Sequence, residues 1–146
     1  MSNNTELYDE DFFKWTQTTA SLLRTSSFAE VNIASVAEEI EDLGKRDLRE
    51  VNSRTRVLLM HLLKWQCQPG KQSPSWRATI STERLEIEQV FDQSPSLRRK
   101  MKLHLAKTYV RARFEAAAET GLPEKLFPSI CPYTVEQILD RSFFPG

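Results

Sequence analysis

Apolar residues along this chain recur at the three- and four-residue spacing of helices, and no stretch shows the strict alternation of a strand. Phe12, Trp15, Thr19/Ala20, Leu22 and Leu23 keep that spacing as far as the polar run Thr25-Ser26-Ser27, which predicts a short amphipathic helix capped by Asp9 or Asp11. Asn32 is placed to cap a second and much longer helix. Ile33, Val36, Ile40, Leu43, Val51, Leu58, Leu62 and Trp65 continue the spacing, and no proline intervenes before Pro69. Gly44 is its weak point, because a mid-helix glycine costs about 1 kcal/mol relative to alanine, and a kink or a split is expected there. From Val57 to Leu63 this helix is apolar on every side apart from His61, which marks the stretch as the centre of the core.

After the break at Gln68-Pro69-Gly70, Ser73 and Pro74 read as an N-cap and first helical residue. The helix they open carries Trp76, Ile80, Leu85/Ile87 and Val90/Phe91 to about Asp92. Ser94-Pro95 repeats the device for a helix through Leu97, Met101, Leu105, Tyr109, Ala112 and Ala116 to Thr120, with Gly121 at its C-terminal end. The following segment, LPEKLFPSICPYT, contains three prolines and should run over the bundle as an extended loop. Leu122, Leu126, Phe127, Ile130 and Tyr133 are expected to tie it down, and Thr134 with Gln137 forms a capping box for a last short helix from Val135 to Asp140. The expected architecture is all-α: one domain over residues 1–146, an up-and-down bundle with one long central helix and a wrapped C-terminal segment.

At 146 residues, with 40% hydrophobic and 27% charged side chains, the chain is long enough to bury a core without disulfides or a structural metal. Cys67 and Cys131 stand outside any C-x-x-C pair, and reduced thiols in the cytoplasm are the simplest reading. The N-terminal MSNNTELYDEDFFKW is acidic and polar, unlike a secretory signal, and no run approaches the roughly 18 apolar residues of a membrane span.

The net charge of zero is a cancellation. Residues 1–44 hold nine acidic and two basic side chains, residues 45–72 seven basic and two acidic, and residues 93–114 seven basic and none acidic. Such blocks suit either an anionic partner or complementary helices neutralising one another, and a chain with no net excess favours the second. In helical projection Arg98, Lys102 and Arg113 lie beside the apolar seam, whereas Lys100, Lys107 and Arg111 project from another flank as a modest basic patch. Two flanks and few aromatics argue against nucleic acid on the helix over residues 95–120.

The runs YDEDFFKW, EEIEDLGK, HLLKWQCQP, SWRATI, SPSL, AAAETGL and CPYTVEQIL, in this order, resemble the bacterial family catalogued as domain of unknown function number twenty-nine. HLLKWQ, then QP, then SW is the most specific part, and the resemblance covers nearly the whole chain. It implies an all-helical soluble fold and carries over neither an activity nor any catalytic residue.

Candidate chemistry therefore rests on the residues themselves. His61 could be a core side chain, a metal ligand or a general base, but its i±3 and i±4 positions are Val57, Leu58, Lys64 and Trp65, none a usual ligand. Among the acids Glu38, Glu39, Glu41 and Asp42, the last two face Lys45 and Arg46 four residues on and read as surface ion pairs. Glu38 and Glu39 lack such partners and could meet Arg54, Arg84 or Arg113 from another helix. Lys64, Trp65, Gln68, Ser75 and Trp76 gather near the turn at residues 66–74 and could line a small-ligand pocket. No metal or cofactor is implied. A non-catalytic interaction module, with a protein partner or a second copy, is the leading expectation. The alternatives are an enzyme or metal-dependent protein using His61 with Glu38 or Glu39, and weak nucleic-acid binding through the basic helix.

Overall fold

The structure, a computed structural model, describes residues 2–146. It divides into two compact units, one up to Arg46 and one from Asp47 to Gly146. The described residues form helices and irregular segments with no strand.

In the first unit, α1 spans Ser2–Glu10 and α2 spans Phe12–Arg24. Asp11 separates them: its backbone leaves the helical region and its side chain accepts the Lys14 N–H at 3.1 Å, the N-cap read from the sequence. α1 itself is an addition, since the polar residues before Asp9 carry no apolar period. Trp15 is the buried centre of this unit, with the Tyr8 ring edge-on at 4.7 Å and Phe12 stacked at 5.7 Å. Ser26, at φ 58°, turns the chain at the end of α2, where Ser27 N–H returns to Leu22 O at 2.8 Å.

Asn32 then caps α3, Ile33–Cys67, by accepting the Ser35 N–H at 3.2 Å. Gly44 does not interrupt this helix. An isolated glycine removes side-chain packing but keeps its N–H and carbonyl, so the hydrogen-bond ladder continues through it.

The second unit packs the later part of α3 with α4, Pro74–Gln93, and α5, Ser96–Thr120, in up-down-up order. The side-chain contacts fix the directions. Arg54 of α3 meets Glu83 and Glu86 of α4, while Lys64 lies over Trp76, so α3 and α4 run antiparallel. Asn52, Arg56 and Lys64 of α3 meet His104, Glu115 and Glu119 of α5 in rising order, so those two helices run parallel. Leu58, Leu59, Leu62 and Leu63 are fully buried with Ile80, Ile87, Met101 and Ala112, as expected of a segment apolar on all sides.

Ser73 caps α4 by accepting the Trp76 N–H, and Gly121 ends α5 in the left-handed region at φ 71°. Ser94 departs from expectation. It closes α4 with its N–H on Val90 O, and α5 starts after Pro95 with no side-chain cap.

The C-terminal segment is tied down by Phe127 and Tyr133, both buried, but Leu126 and Ile130 point outward, contrary to the expectation that all its apolar residues pack. Thr134 and Gln137 form the capping box of α6, Val135–Leu139. Tyr109 reaches across to donate to Pro128 O at 2.6 Å, and Tyr133 donates to Gln66 Oε1 at 2.6 Å.

Burial pushes the Tyr109 phenol from 10.0 up to about 12 and raises that of Tyr133 further. A phenol whose pKa is raised by folding contributes stability that is fully present below the unfolded value of 10.0 and is lost as pH rises through the folded one. The protein is thus expected to unfold in alkali, with phenolate absorbance appearing together with loss of helical circular dichroism. Phenolate formation well before any loss of helix would contradict the packing of Tyr109 and Tyr133.

Candidate functional site

His61 is half-buried on α3, with Nδ1 2.9 Å from Val57 O. A carbonyl only accepts, so Nδ1 is the donor in this contact. Glu39, in the first unit, accepts the Tyr8 hydroxyl, while Glu38 is exposed. That hydrogen bond is the main reason the Tyr8 phenol is raised, with burial and the charge of Glu38 adding to it.

The arginines expected to neutralise Glu38 or Glu39 are engaged elsewhere. Arg54 holds Glu50, Glu83 and Glu86, Arg84 binds backbone carbonyls of α6, and Arg113 binds Phe127 O and Glu124. Among the described residues, Glu41–Lys45 and Asp42–Arg46 do not form ion pairs either. Exposed pairs of this kind gain too little to hold two long side chains in one geometry.

Around the turn after α3, Trp65 is buried under Phe144 at 4.9 Å and Arg77 at 5.2 Å. Lys64 lies 4.8 Å from the Trp76 ring and reaches Glu119 at 3.1 Å. Gln68 begins the 3-10 turn Pro69–Lys71, and Ser75 is exposed on the first turn of α4. The aromatic faces are covered here by the chain's own cations and rings, which accounts for the cluster as packing.

The basic residues behave differently. Lys107 and Arg111 are exposed and line a cleft of about 460 Å³ between α3 and α5, whose opposite wall carries Arg49 and Arg56. Lys100 is exposed and lies outside that lining. α3 and α5 do neutralise one another, but with the signs reversed from expectation: Arg56 and Lys64 of α3 meet Glu115 and Glu119 of α5. Arg98 and Lys102, expected to find acids on a neighbouring helix, have no ion pair among the described residues.

Both cysteines are free thiols. Burial pushes each thiol up, partly opposed at Cys131 by its hydrogen bond with the Tyr133 backbone, so neither is set up as a thiolate nucleophile. Among the described residues, no group of three or more His, Cys, Asp or Glu could hold a metal ion, and no helix is long and apolar enough to cross a membrane.

An up-down-up helical core with a wrapped C-terminal segment, and no strand among the described residues, makes this an all-α protein. It belongs to the family described as domain of unknown function DUF29, which matches residues 7–144 and so takes in nearly the whole chain. Neither curated proteins nor solved structures contain a match to it.

Proposed function

We propose that this protein is a non-catalytic interaction module whose contact surface is the outer face of α5. The observation that carries the reading is an uncovered apolar stripe. Leu103, Val110 and Phe114 are 65%, 61% and 64% exposed, although the opposite face of the same helix already buries Met101, Tyr109, Ala112 and Ala116 in the core. Ile130, 81% exposed, extends the stripe, since it and Val110 border the same shallow groove. Single exposed apolar residues are ordinary on a protein surface, but several large ones aligned on one helix face are the mark of a contact site. The occupant is a second copy of the chain or a protein partner with an apolar face. The reading includes one domain over the whole chain, supported by its length, and a cytoplasmic location, supported by the two free thiols.

The test is the double substitution Leu103→Asp with Phe114→Asp, which leaves the buried face of α5 untouched. Sedimentation velocity on the purified chain and crosslinking in the producing cells should show an assembly that the variant loses while keeping its helical content. An unassociated wild-type chain with no crosslink to α5, or an assembly that the variant retains, refutes the proposal.

A further inference from the structure

We propose that the cleft between α3 and α5 is a binding site for a small anion carrying two phosphate groups. From α3 it receives Arg49, Asn52, Ser53 and Arg56, and from α5 His104, Lys107, Thr108 and Arg111. Each set falls at i, i+3, i+4 and i+7, so each is a single helical face. Faces that two packed helices turn toward each other are normally apolar. Here both are polar, and between them they carry four cations.

Charge distribution elsewhere in the fold makes this excess informative. Arg54 alone holds three carboxylates, and Lys64, Arg113 and Arg141 each have one. Acids are therefore available and are used on the other faces. At the cleft, only Arg56 has a partner, Glu115, and among the described residues Arg49, Lys107 and Arg111 have no ion pair. Like charges gathered on facing helices repel one another, and an anion seated between them removes that repulsion.

The lining also narrows the ligand. Guanidinium groups present paired N–H donors that match phosphate oxygens, and cations on both walls suit a group at each side. Asn52 Nδ2 lies 3.2 Å from His104 Nδ1, joining the two walls, and the Ser53 and Thr108 hydroxyls add neutral donors. A volume of about 460 Å³ is that of a small-molecule site. No Phe, Tyr or Trp lines the cleft, which favours a compact diphosphate or bisphosphate over a polynucleotide.

Calorimetric titration of the full chain with inorganic pyrophosphate tests the assignment. Saturable one-site binding is expected, weaker for orthophosphate, with affinity falling as salt rises. Lys107→Ala with Arg111→Ala should weaken it by about tenfold or more, as should Arg49→Ala from the other wall, whereas Arg98→Ala with Lys102→Ala should leave it within about twofold. The five substituted positions are all exposed, and circular dichroism melts confirm that the variants fold. The proposal is overturned by an absence of saturable binding, by equal affinity for orthophosphate, or by equal losses in the cleft and control variants. Displacement of pyrophosphate by a single-stranded oligonucleotide that depends on Arg98 and Lys102 overturns it too, in favour of a nucleic-acid surface.

Discussion

Replacing Arg84 with alanine is expected to lower the unfolding free energy by about 3–5 kcal/mol, the range for removing a fully buried group with backbone partners. Arg84 is the largest fully buried side chain in the protein. Its Nε donates to Ile138 O at 2.7 Å and its Nη2 to Gln137 O at 3.4 Å. Both carbonyls belong to α6 near its C-terminal end, where Gln137 O also accepts the Asp140 N–H at 3.3 Å but no further turn supplies an N–H to Ile138 O. The guanidinium therefore does for α6 what a C-terminal capping residue does for a longer helix, and its positive charge suits the negative end of the helix dipole. Phe144 lies 5.4 Å from the guanidinium carbon and adds a ring contact.

Burial works against the charge, lowering the Arg84 pKa, while Asp140 partly opposes that shift. Nη1 has no hydrogen-bond partner among the described residues. Arg84→Met, which keeps most of the volume and removes the buried charge, should therefore cost about 1–3 kcal/mol, less than alanine. Urea unfolding of the three proteins is the measurement. A loss below about 1 kcal/mol for Arg84→Ala would mean that α6 does not depend on this side chain.

Arg84 also shows where sequence reading reaches its limit. A run of carboxylates such as Glu38 and Glu39 invites a search for cationic partners, and Arg84 was a reasonable one. Its actual partners are backbone carbonyls, which every residue carries and no side-chain pattern marks. Features governed by local chemistry were legible: the Asp11, Asn32 and Ser73 caps, the Gly121 terminator, the Thr134–Gln137 box and the all-round apolar stretch of α3. α1 was not, because its polar residues have no apolar period to reveal it. Nor was the role of Ser94, which depends on how tightly α4 turns into α5.

The cleft divides along the same line. Lys107 and Arg111 could be placed on one flank of α5 from helical phase alone. Arg49 and Arg56 could not be joined to them, because the register of α3 against α5 is set by the length of α4 and the turns at its ends. Lys100 shares the phase and not the place: one to three turns nearer the start of α5, it lies outside the lining. The exposed stripe of Leu103, Val110 and Phe114 was hidden for a related reason, since apolar residues on both sides of a helix do not declare which side meets the core.

Phe127→Ala should cost about 3–5 kcal/mol, whereas Leu126→Ala, one residue earlier, should change stability by no more than about 0.5 kcal/mol. The segment after Gly121 has three prolines and few backbone hydrogen bonds of its own, so side chains must anchor it. Phe127 inserts fully into the core while Leu126 faces outward. Around that insertion Arg113 Nε donates to Phe127 O at 3.1 Å, and Tyr109 donates to Pro128 O at 2.6 Å. Loss of the ring leaves a cavity and loosens the carbonyls that satisfy both donors, so the two effects act in the same direction. Urea unfolding gives the free energies, and limited proteolysis shows whether cleavage between Leu122 and Tyr133 accelerates in the variant. If Phe127→Ala proves as mild as Leu126→Ala and cleavage does not change, the segment lies on the bundle without helping to hold it together.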